Sequence, residues 1–361
     1  MNVPDTMTAV LLTGYGGFEK LVMRHDVPVP SFHAQDVLIR VGACGVNNTD
    51  INTRKGWYAP SVQGTTDENM IVENDDQGAW SGSLSFPRIQ GADVVGRIVA
   101  VGDNVPVERI GERVIVEPLV RHAESPDDRY GIEYLGSERD GGFAEYVAVP
   151  SVNAFPVNSE FSDAQLATFP CSYSTAEHML TRIRITQKDT LLITGASGGV
   201  GSALVQLAKR RGAIVLAVAG AAKKDAVAAL GADMVIDRET DLTEALKQVL
   251  PEGGVNAVAD VVGGKGFPSL IDALKRGGRY VTAGAIAGPI VSLDLRQLYL
   301  KDLEFQGATV LPPGLFGHLV NYIENREIQP VLAGEFPLAA IREAQTAFMA
   351  KKHVGSFVLR P

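Results

Sequence analysis

The chain has 361 residues, 45% hydrophobic and 21% charged, with a formal net charge of −9. That length supports two domains with separate cores, the balance is that of a globular protein, and the acidic surplus argues against a general nucleic-acid or anionic-membrane surface. Two cysteines, Cys44 and Cys171, exclude a disulfide framework and a four-cysteine zinc loop. No run reaches the roughly 18 apolar residues of a membrane span, and Met1 to Asp5 lacks the features of a signal peptide, so the expectation is a cytoplasmic protein with no nucleic-acid or membrane partner.

Up to about Pro156 the chain reads as short strands: Met7 to Leu12, Val37 to Val41, Val94 to Val101, Arg113 to Glu117 and Ala144 to Val149. Gly102-Asp103-Asn104 and Asp140-Gly141-Gly142 supply turns between them. The polar segment from Trp57 to Pro87 carries Asp67-Glu68-Asn69, Asp75-Asp76 and Trp80. A loop of that length is a lid, with Trp57, Tyr58 and Trp80 as its apolar underside, or else a surface excursion.

Helical character runs from Ala164 to Arg182, interrupted by Pro170. From Thr190 the texture becomes an alternation of strands and helices. Leu191-Leu192-Ile193 feeds the cluster Thr194-Gly195-Ala196-Ser197-Gly198-Gly199-Val200-Gly201, and a helical pattern follows through Ala203, Leu204, Leu207 and Ala208. Strand, glycine turn and helix in that order form the context of a dinucleotide site, with Ala196 in the first glycine slot, Gly198 admitting the pyrophosphate and Gly201 allowing close helix–strand packing. Further strands are expected at Ala213 to Ala219, Met234 to Ile236, Val255 to Val262, Arg279 to Ala283 and Leu303 to Val310. Helices are expected at Lys223 to Leu230 and Leu242 to Leu250, stopped by Gly231 and Pro251. Such alternation predicts a parallel, doubly wound sheet and an α/β fold class. Helices at Leu315 to Ile323 and Ile341 to Met349, and a strand at Ser356 to Leu359, close the chain.

The second strand of an NAD site ends in an acid that binds the ribose 2′-hydroxyl. Here Val218-Ala219-Gly220 offers none, and Lys223 and Lys224 follow, either as phosphate partners or as solvated residues at a helix start. NADPH is therefore favoured over NADH. Ligands sit beyond the C-terminal ends of parallel strands, which points to Val262, Ala283 and Ala285 at the nicotinamide.

With these motifs in hand, the chain resembles the medium-chain dehydrogenase/reductase superfamily, which includes zinc alcohol dehydrogenases and zinc-free quinone oxidoreductases. The matching segments are Ala43 to Asp50, Gly91 to Gly96, Gly111 to Val114, Gly141 to Tyr146, the glycine turn and His353-Val354-Gly355. The resemblance implies a GroES-like β-rich catalytic domain over 1–158, a Rossmann domain over 159–312 and a C-terminal segment, 313–361, returning to the catalytic domain. It further implies a cofactor in the cleft between domains, with Ser197, Gly199, Val200 and Thr175 among its contacts, and a homodimer or higher homo-oligomer.

The departures bear on mechanism. Zinc members carry cysteine where this chain has Asn47, and Gly-His-Glu where it has Gly91-Ala92-Asp93; Cys171 alone keeps a ligand position. Catalytic zinc takes three such ligands plus water, so no zinc is expected, and Asp93 and Cys171 are the candidates if one is bound. Asn47 matches the asparagine of zinc-free quinone oxidoreductases and is expected to donate to a substrate carbonyl, unless it serves only as a cap. Thr49 matches the proton-relay hydroxyl of alcohol dehydrogenases, and Tyr58 and Tyr173 are further donors. The implied activity is NADPH-dependent, zinc-independent hydride transfer to a small-molecule quinone, α,β-unsaturated carbonyl or small carbonyl. The alternatives are a zinc alcohol dehydrogenase with an altered site and a weakly catalytic, crystallin-like nucleotide binder.

Overall fold

The predicted β-rich half forms because segments rich in β-branched residues, such as Asp36–Val46, Asp93–Val101 and Arg113–Val116, are bounded by glycine and aspartate turns. The computed structural model describes residues 3–66, 84–121, 131–250 and 253–361, so Trp80 and the acidic groups at 67–69 and 75–76 lie outside the described residues. Leu21–Pro28, Thr6–Leu12 and Arg88–Ile89 pair in that order into a small sheet. A larger sheet runs Ala154–Pro156, Arg113–Val116, Asp93–Val101, Asp36–Val46, Ser356–Arg360 and Leu332–Pro337, with Tyr146–Pro150 also paired to Asp36–Val46. The last strand of the chain thus returns to the first half, Val358 opposite Gly45. Ile341, Ala344 and Phe348 of the helix Ile341–Met349 fill the same core.

The second half holds a six-stranded parallel sheet in the order Met234–Asp237, Ile214–Ala219, Thr190–Ile193, Val255–Asp260, Leu274–Thr282, Glu304–Gly307. That order reverses at the strand entering the glycine turn, the place where doubly wound sheets open a ligand crevice. Ile193 and Ala217 pack on one face with Leu204 and Leu207, and Leu192 and Leu216 on the other with Leu246 and Leu270. Both faces are covered, as near-continuous apolar strands require.

The structure departs from the sequence reading at several places: the strands Leu21–Pro28 and Leu332–Pro337 and the helix Phe267–Asp272 were not anticipated. The helical stretch from Ala164 divides into Asp163–Leu166 and Pro170–Arg182, with Pro170 in the first turn, where its missing N–H costs nothing. The helix Asn48–Lys55 was hidden because it has no apolar stripe: Asp50, Asn52, Thr53, Arg54 and Lys55 are all buried. Polar partners hold several of them instead: the Arg54 guanidinium donates to Gly16 O (2.8 Å) and Gln345 Oε1 (3.1 Å) and lies over the Phe18 ring, and Lys55 Nζ donates to Thr66 O (2.8 Å). The helix Leu295–Leu300 was also missed, and its Leu295, Tyr299 and Leu300 stand exposed. No helix among the described residues is long and apolar enough to cross a membrane.

Candidate active site

A cleft of about 710 Å³ runs between the β-rich half and the C-terminal edge of the parallel sheet. Its floor is the glycine turn. Gly195, not Ala196, takes the left-handed conformation that turns the chain (φ +59°), and Ala196 is buried with its N–H on Val218 O. A Cβ on Gly201 would stand 2.1 Å from Gly195 O, so only glycine lets the helix Gly199–Arg210 start this close to the strand. At Gly198 the space is open, the nearest atom to an added Cβ being Gly195 O at 3.6 Å. Gly198 caps the helix without a side-chain hydrogen bond, leaving first-turn N–H groups for an anion. Ser197, Gly199, Val200 and Thr175 line the cleft here, and Ala219, Val262, Ala283 and Ala285 line it along the strand ends.

At Gly220, where an NAD site would carry its acid, two cations, Lys223 and Arg238, border the cleft, with Asp241 also in its lining. A Cβ on Gly220 would lie 3.8 Å from Arg238 Nε, and Lys223 Nζ reaches Ser197 Oγ (3.3 Å) and the Lys351 carbonyl (2.5 Å). Partial burial and the nearby Arg238 charge lower the Lys223 pKa. Asp237 also lines this end, accepting the Glu239 N–H (3.1 Å). Lys224 does not line the cleft; one residue further round the helix start, its side chain leaves in another direction. Arg238 escaped the sequence reading because it lies a whole strand further on, and parallel pairing of Ala219 with Asp237 brings it alongside.

The opposite end gathers side chains from three elements. Asn47 caps the helix Asn48–Lys55, and its N–H donates to the Asp50 carboxylate (2.8 Å). Its side-chain amide donates to Asp93 Oδ2, and its Oδ1 accepts from Ser172 Oγ at 3.4 Å. Asp93 Oδ1 accepts the Cys171 N–H (2.5 Å) at the start of Pro170–Arg182. Burial pushes both the Asp50 and Asp93 carboxyls up to about 7, even with hydrogen bonds that pull the other way. It also pushes the Cys171 thiol up, with the nearby Asp93 charge adding to the effect. Thr49 and Tyr58 line the cleft with their hydroxyl oxygens 3.4 Å apart.

Tyr173 is not part of this group. Cys171, Ser172 and Thr175 share the helix face that borders the cleft, whereas the Tyr173 hydroxyl donates to Gln329 O (2.6 Å) and accepts from Gln206 Nε2 (2.8 Å). Tyr134 stands here instead, its hydroxyl donating to Cys171 Sγ (3.2 Å). No motif marked it, because it comes from a short strand, Ile132–Tyr134, paired with Leu119–Arg121. Of the segment expected to be a lid, the described part is anchored: Trp57 Nε1 donates to Gly64 O (3.1 Å), and Thr66 N donates to Ile286 O (3.2 Å) across the cleft.

Two family models match the chain, the alcohol dehydrogenase GroES-like domain over residues 33–159 and the zinc-binding dehydrogenase over 199–324. A crystal structure of a candidate alcohol dehydrogenase from Sinorhizobium meliloti 1021 superposes with TM-score 0.89 at 49% identity, covering 99% of this chain and 98% of that one. Quinone oxidoreductase of Rattus norvegicus is 27% identical over 347 residues, 94% of this chain and 92% of its own length. Acryloyl-coenzyme A reductase of Sulfurisphaera tokodaii is 28% identical over 364 residues, 98% of this chain and 100% of its own.

Proposed function

The chain belongs to the medium-chain dehydrogenase/reductase superfamily, an NAD(P)-dependent oxidoreductase with a GroES-like and a Rossmann half, and within it we propose an NADPH-dependent, zinc-independent reductase of quinones, α,β-unsaturated carbonyls or small carbonyls. The observation that carries the cofactor choice is the pair Lys223 and Arg238 beside Gly220, two cations where a carboxylate would repel a 2′-phosphate. Bound NADPH would lie along the glycine turn with its nicotinamide toward Val262, Ala283 and Ala285, and supplies the hydride. The chain's own residues hold the substrate: Asn47, Thr49 and Tyr58 present an amide and two hydroxyls to a carbonyl at the far end.

The donor set does not fit a catalytic zinc. Asn47 replaces a ligand, and both Asp93 oxygens are engaged by Asn47 and the Cys171 N–H, which leaves Cys171 as the one unchanged ligand position. Among the described residues no three His, Cys, Asp or Glu side chains stand together as a metal site. The fold family and the exposed helix Leu295–Leu300, which precedes the edge strand Glu304–Gly307, support a homodimer.

The test is to purify the protein without added metal, measure its zinc, and follow NADPH oxidation with 1,4-naphthoquinone, methyl vinyl ketone and simple aldehydes before and after EDTA. Turnover unaffected by chelation is expected. Activity that vanishes with EDTA and returns with Zn²⁺ overturns the zinc-independent reading and makes Cys171 and Asp93 the site.

A further inference from the structure

One buried carboxyl takes no part in the site as described so far. Asp260 ends the strand Val255–Asp260, at the C-terminal edge of the parallel sheet, and is 0% exposed. Burying a carboxylate is costly unless hydrogen bonds replace its water. Asp189, just before the strand Thr190–Ile193, has the Arg279 guanidinium as its partner. Asp260 instead collects four uncharged donors. Its Oδ1 accepts from Thr194 Oγ1 (2.5 Å) and the Val262 N–H (2.9 Å), and its Oδ2 from the Tyr280 hydroxyl (2.7 Å) and the Gly263 N–H (3.2 Å). Burial, and then the Asp260 charge, raise the Tyr280 phenol, which keeps it a donor.

The donors belong to two walls of the cleft. Thr194 leads into Gly195, where the phosphate turn begins, and its hydroxyl oxygen also accepts the Val261 N–H (3.2 Å). Val262 and Gly263 form a ledge at the end proposed for the nicotinamide, and they line the cleft together with Thr194 and Gly195. The ledge has a backbone that favours glycine: Gly263 sits at φ +63°, ψ −144°, and a Cβ there would stand 2.9 Å from Gly288 O. Val262 O in turn accepts the Ala287 N–H (2.8 Å), which hangs the segment after Ala283 on the same ledge. Turn and ledge touch, since a Cβ on Gly195 would meet Val261 Cγ2 at 3.0 Å and Val262 Cγ2 at 3.3 Å. One carboxyl thus ties the entry to the phosphate turn to both N–H groups of the ledge.

We propose that Asp260 is a positioning residue for hydride transfer, holding Val262 and Gly263 against the glycine turn so that the nicotinamide ring stands within reach of the substrate. This rests on the reductase reading above and deepens it. Asp260 does not line the cleft, so it acts through the groups it holds. A misplacement of about 1 Å at a reacting centre costs about 10²-fold in rate, which gives such an indirect role a measurable size.

The experiment uses the intact protein and the variants Asp260→Asn, Thr194→Val, Thr194→Ser and Tyr280→Phe. Asparagine keeps the shape of the side chain but sets an N–H₂ against groups that are themselves donors. Asp260→Asn should lower kcat for 1,4-naphthoquinone by about 10²-fold, with KM for the quinone unchanged. Thr194→Val and Tyr280→Phe each remove one hydrogen bond to the carboxylate and should cost about tenfold, and Thr194→Ser, which keeps the hydroxyl, should recover most of the loss. The second readout compares, by calorimetry, NADPH with 2′,5′-ADP, a fragment that has the adenosine end and no nicotinamide. In Asp260→Asn, Kd for NADPH should rise about tenfold, while Kd for 2′,5′-ADP moves by less than about threefold, which also shows that the variant is folded. Should Asp260→Asn not fold, the three hydroxyl variants carry the comparison. The proposal is overturned if the variants keep native kcat and NADPH affinity, if NADPH and 2′,5′-ADP are lost in parallel, or if Thr194→Ser is as impaired as Thr194→Val. If the native protein reduces none of the carbonyls, the reductase reading fails and binding alone decides: a loss confined to NADPH in Asp260→Asn upholds the positioning of the nicotinamide.

Discussion

The cofactor assignment can be tested one side chain at a time, since the structure separates Lys223 from Lys224, which sequence alone leaves together, and adds Arg238. Lys223 and Arg238 border the cleft at Gly220, and Lys224 does not. A charge-assisted hydrogen bond to a phosphate is worth roughly 1.5–3 kcal/mol, or about 10- to 150-fold in Kd. Lys223→Ala should therefore raise Kd for NADPH by about that factor. Arg238→Ala should sit near the lower end, because its guanidinium is solvent-exposed and already paired with Glu239 (2.9 Å). NADH lacks the 2′-phosphate, so its Kd should move by less than about threefold in either variant, as expected for a surface substitution. Lys224→Ala should leave both cofactors unchanged. Isothermal titration at two salt concentrations provides the assay, and the NADPH-specific loss should shrink at high salt as the charges are screened. Equal losses for NADH and NADPH, or a Lys224→Ala effect as large as that of Lys223→Ala, would refute the placement of the 2′-phosphate.

Two further outcomes are expected. Burial raises the Asp50 carboxyl to about 7, so between roughly pH 4 and 7 the folded chain keeps a proton that the unfolded chain has released. The stability this confers is complete below about pH 4 and lost as pH rises through 7; relative to Asp50→Asn, the native protein should therefore weaken by up to about 1.4 kcal/mol per pH unit across that window in urea unfolding, and parallel curves would contradict it. The exposed Leu295 and Leu300, at 64% and 57% exposure, belong on the proposed dimer face, so Leu295→Glu with Leu300→Glu should halve the mass seen by light scattering, while an unchanged mass would place the interface elsewhere.

The fold was readable where secondary structure follows hydrophobic period. The parallel strands around Leu191 and Val215 are apolar runs, and the helix after Gly198 carries its stripe through Leu204 and Leu207, so their order followed from the chain itself. The helix Asn48–Lys55 was not readable, because its buried face is made of polar side chains whose partners, Gly16 and Gln345 among them, lie far away in sequence. The site divides along the same line. Residues in motifs, such as Asn47, Thr49 and the glycine turn, were legible as candidates, and they line the cleft. Tyr134 and Arg238 were not, because each reaches the cleft through strand pairing. Lys224 and Tyr173 went astray for a third reason: helix phase, which a residue type does not reveal, turns Tyr173 from the cleft-facing Cys171 and Thr175 and sends Lys224 a different way from Lys223.

On the proposed zinc-independent reading, the hydrogen bonds around Asp93 would keep the site in shape. The family resemblance implies that zinc members place ligands where this chain has Asn47, Ala92-Asp93 and Cys171, so an ion there would tie three elements together. Here one carboxyl does so: Asp93, at the head of the strand Asp93–Val101, accepts from the Asn47 amide before the helix Asn48–Lys55 and from the Cys171 N–H at the start of Pro170–Arg182. Gly45 must be a glycine for this to close, since a Cβ there would stand 2.9 Å from Asp93 Oδ2 and 2.5 Å from Ala167 O. A tether of this kind holds geometry but brings no positive charge to a developing oxyanion. On the proposed reading that task passes to neutral donors, the Asn47 amide and the Thr49 and Tyr58 hydroxyls. Asp93→Ala should therefore disturb the placement of Asn47 and Cys171 together, whereas Tyr58→Phe should disturb the chemistry alone.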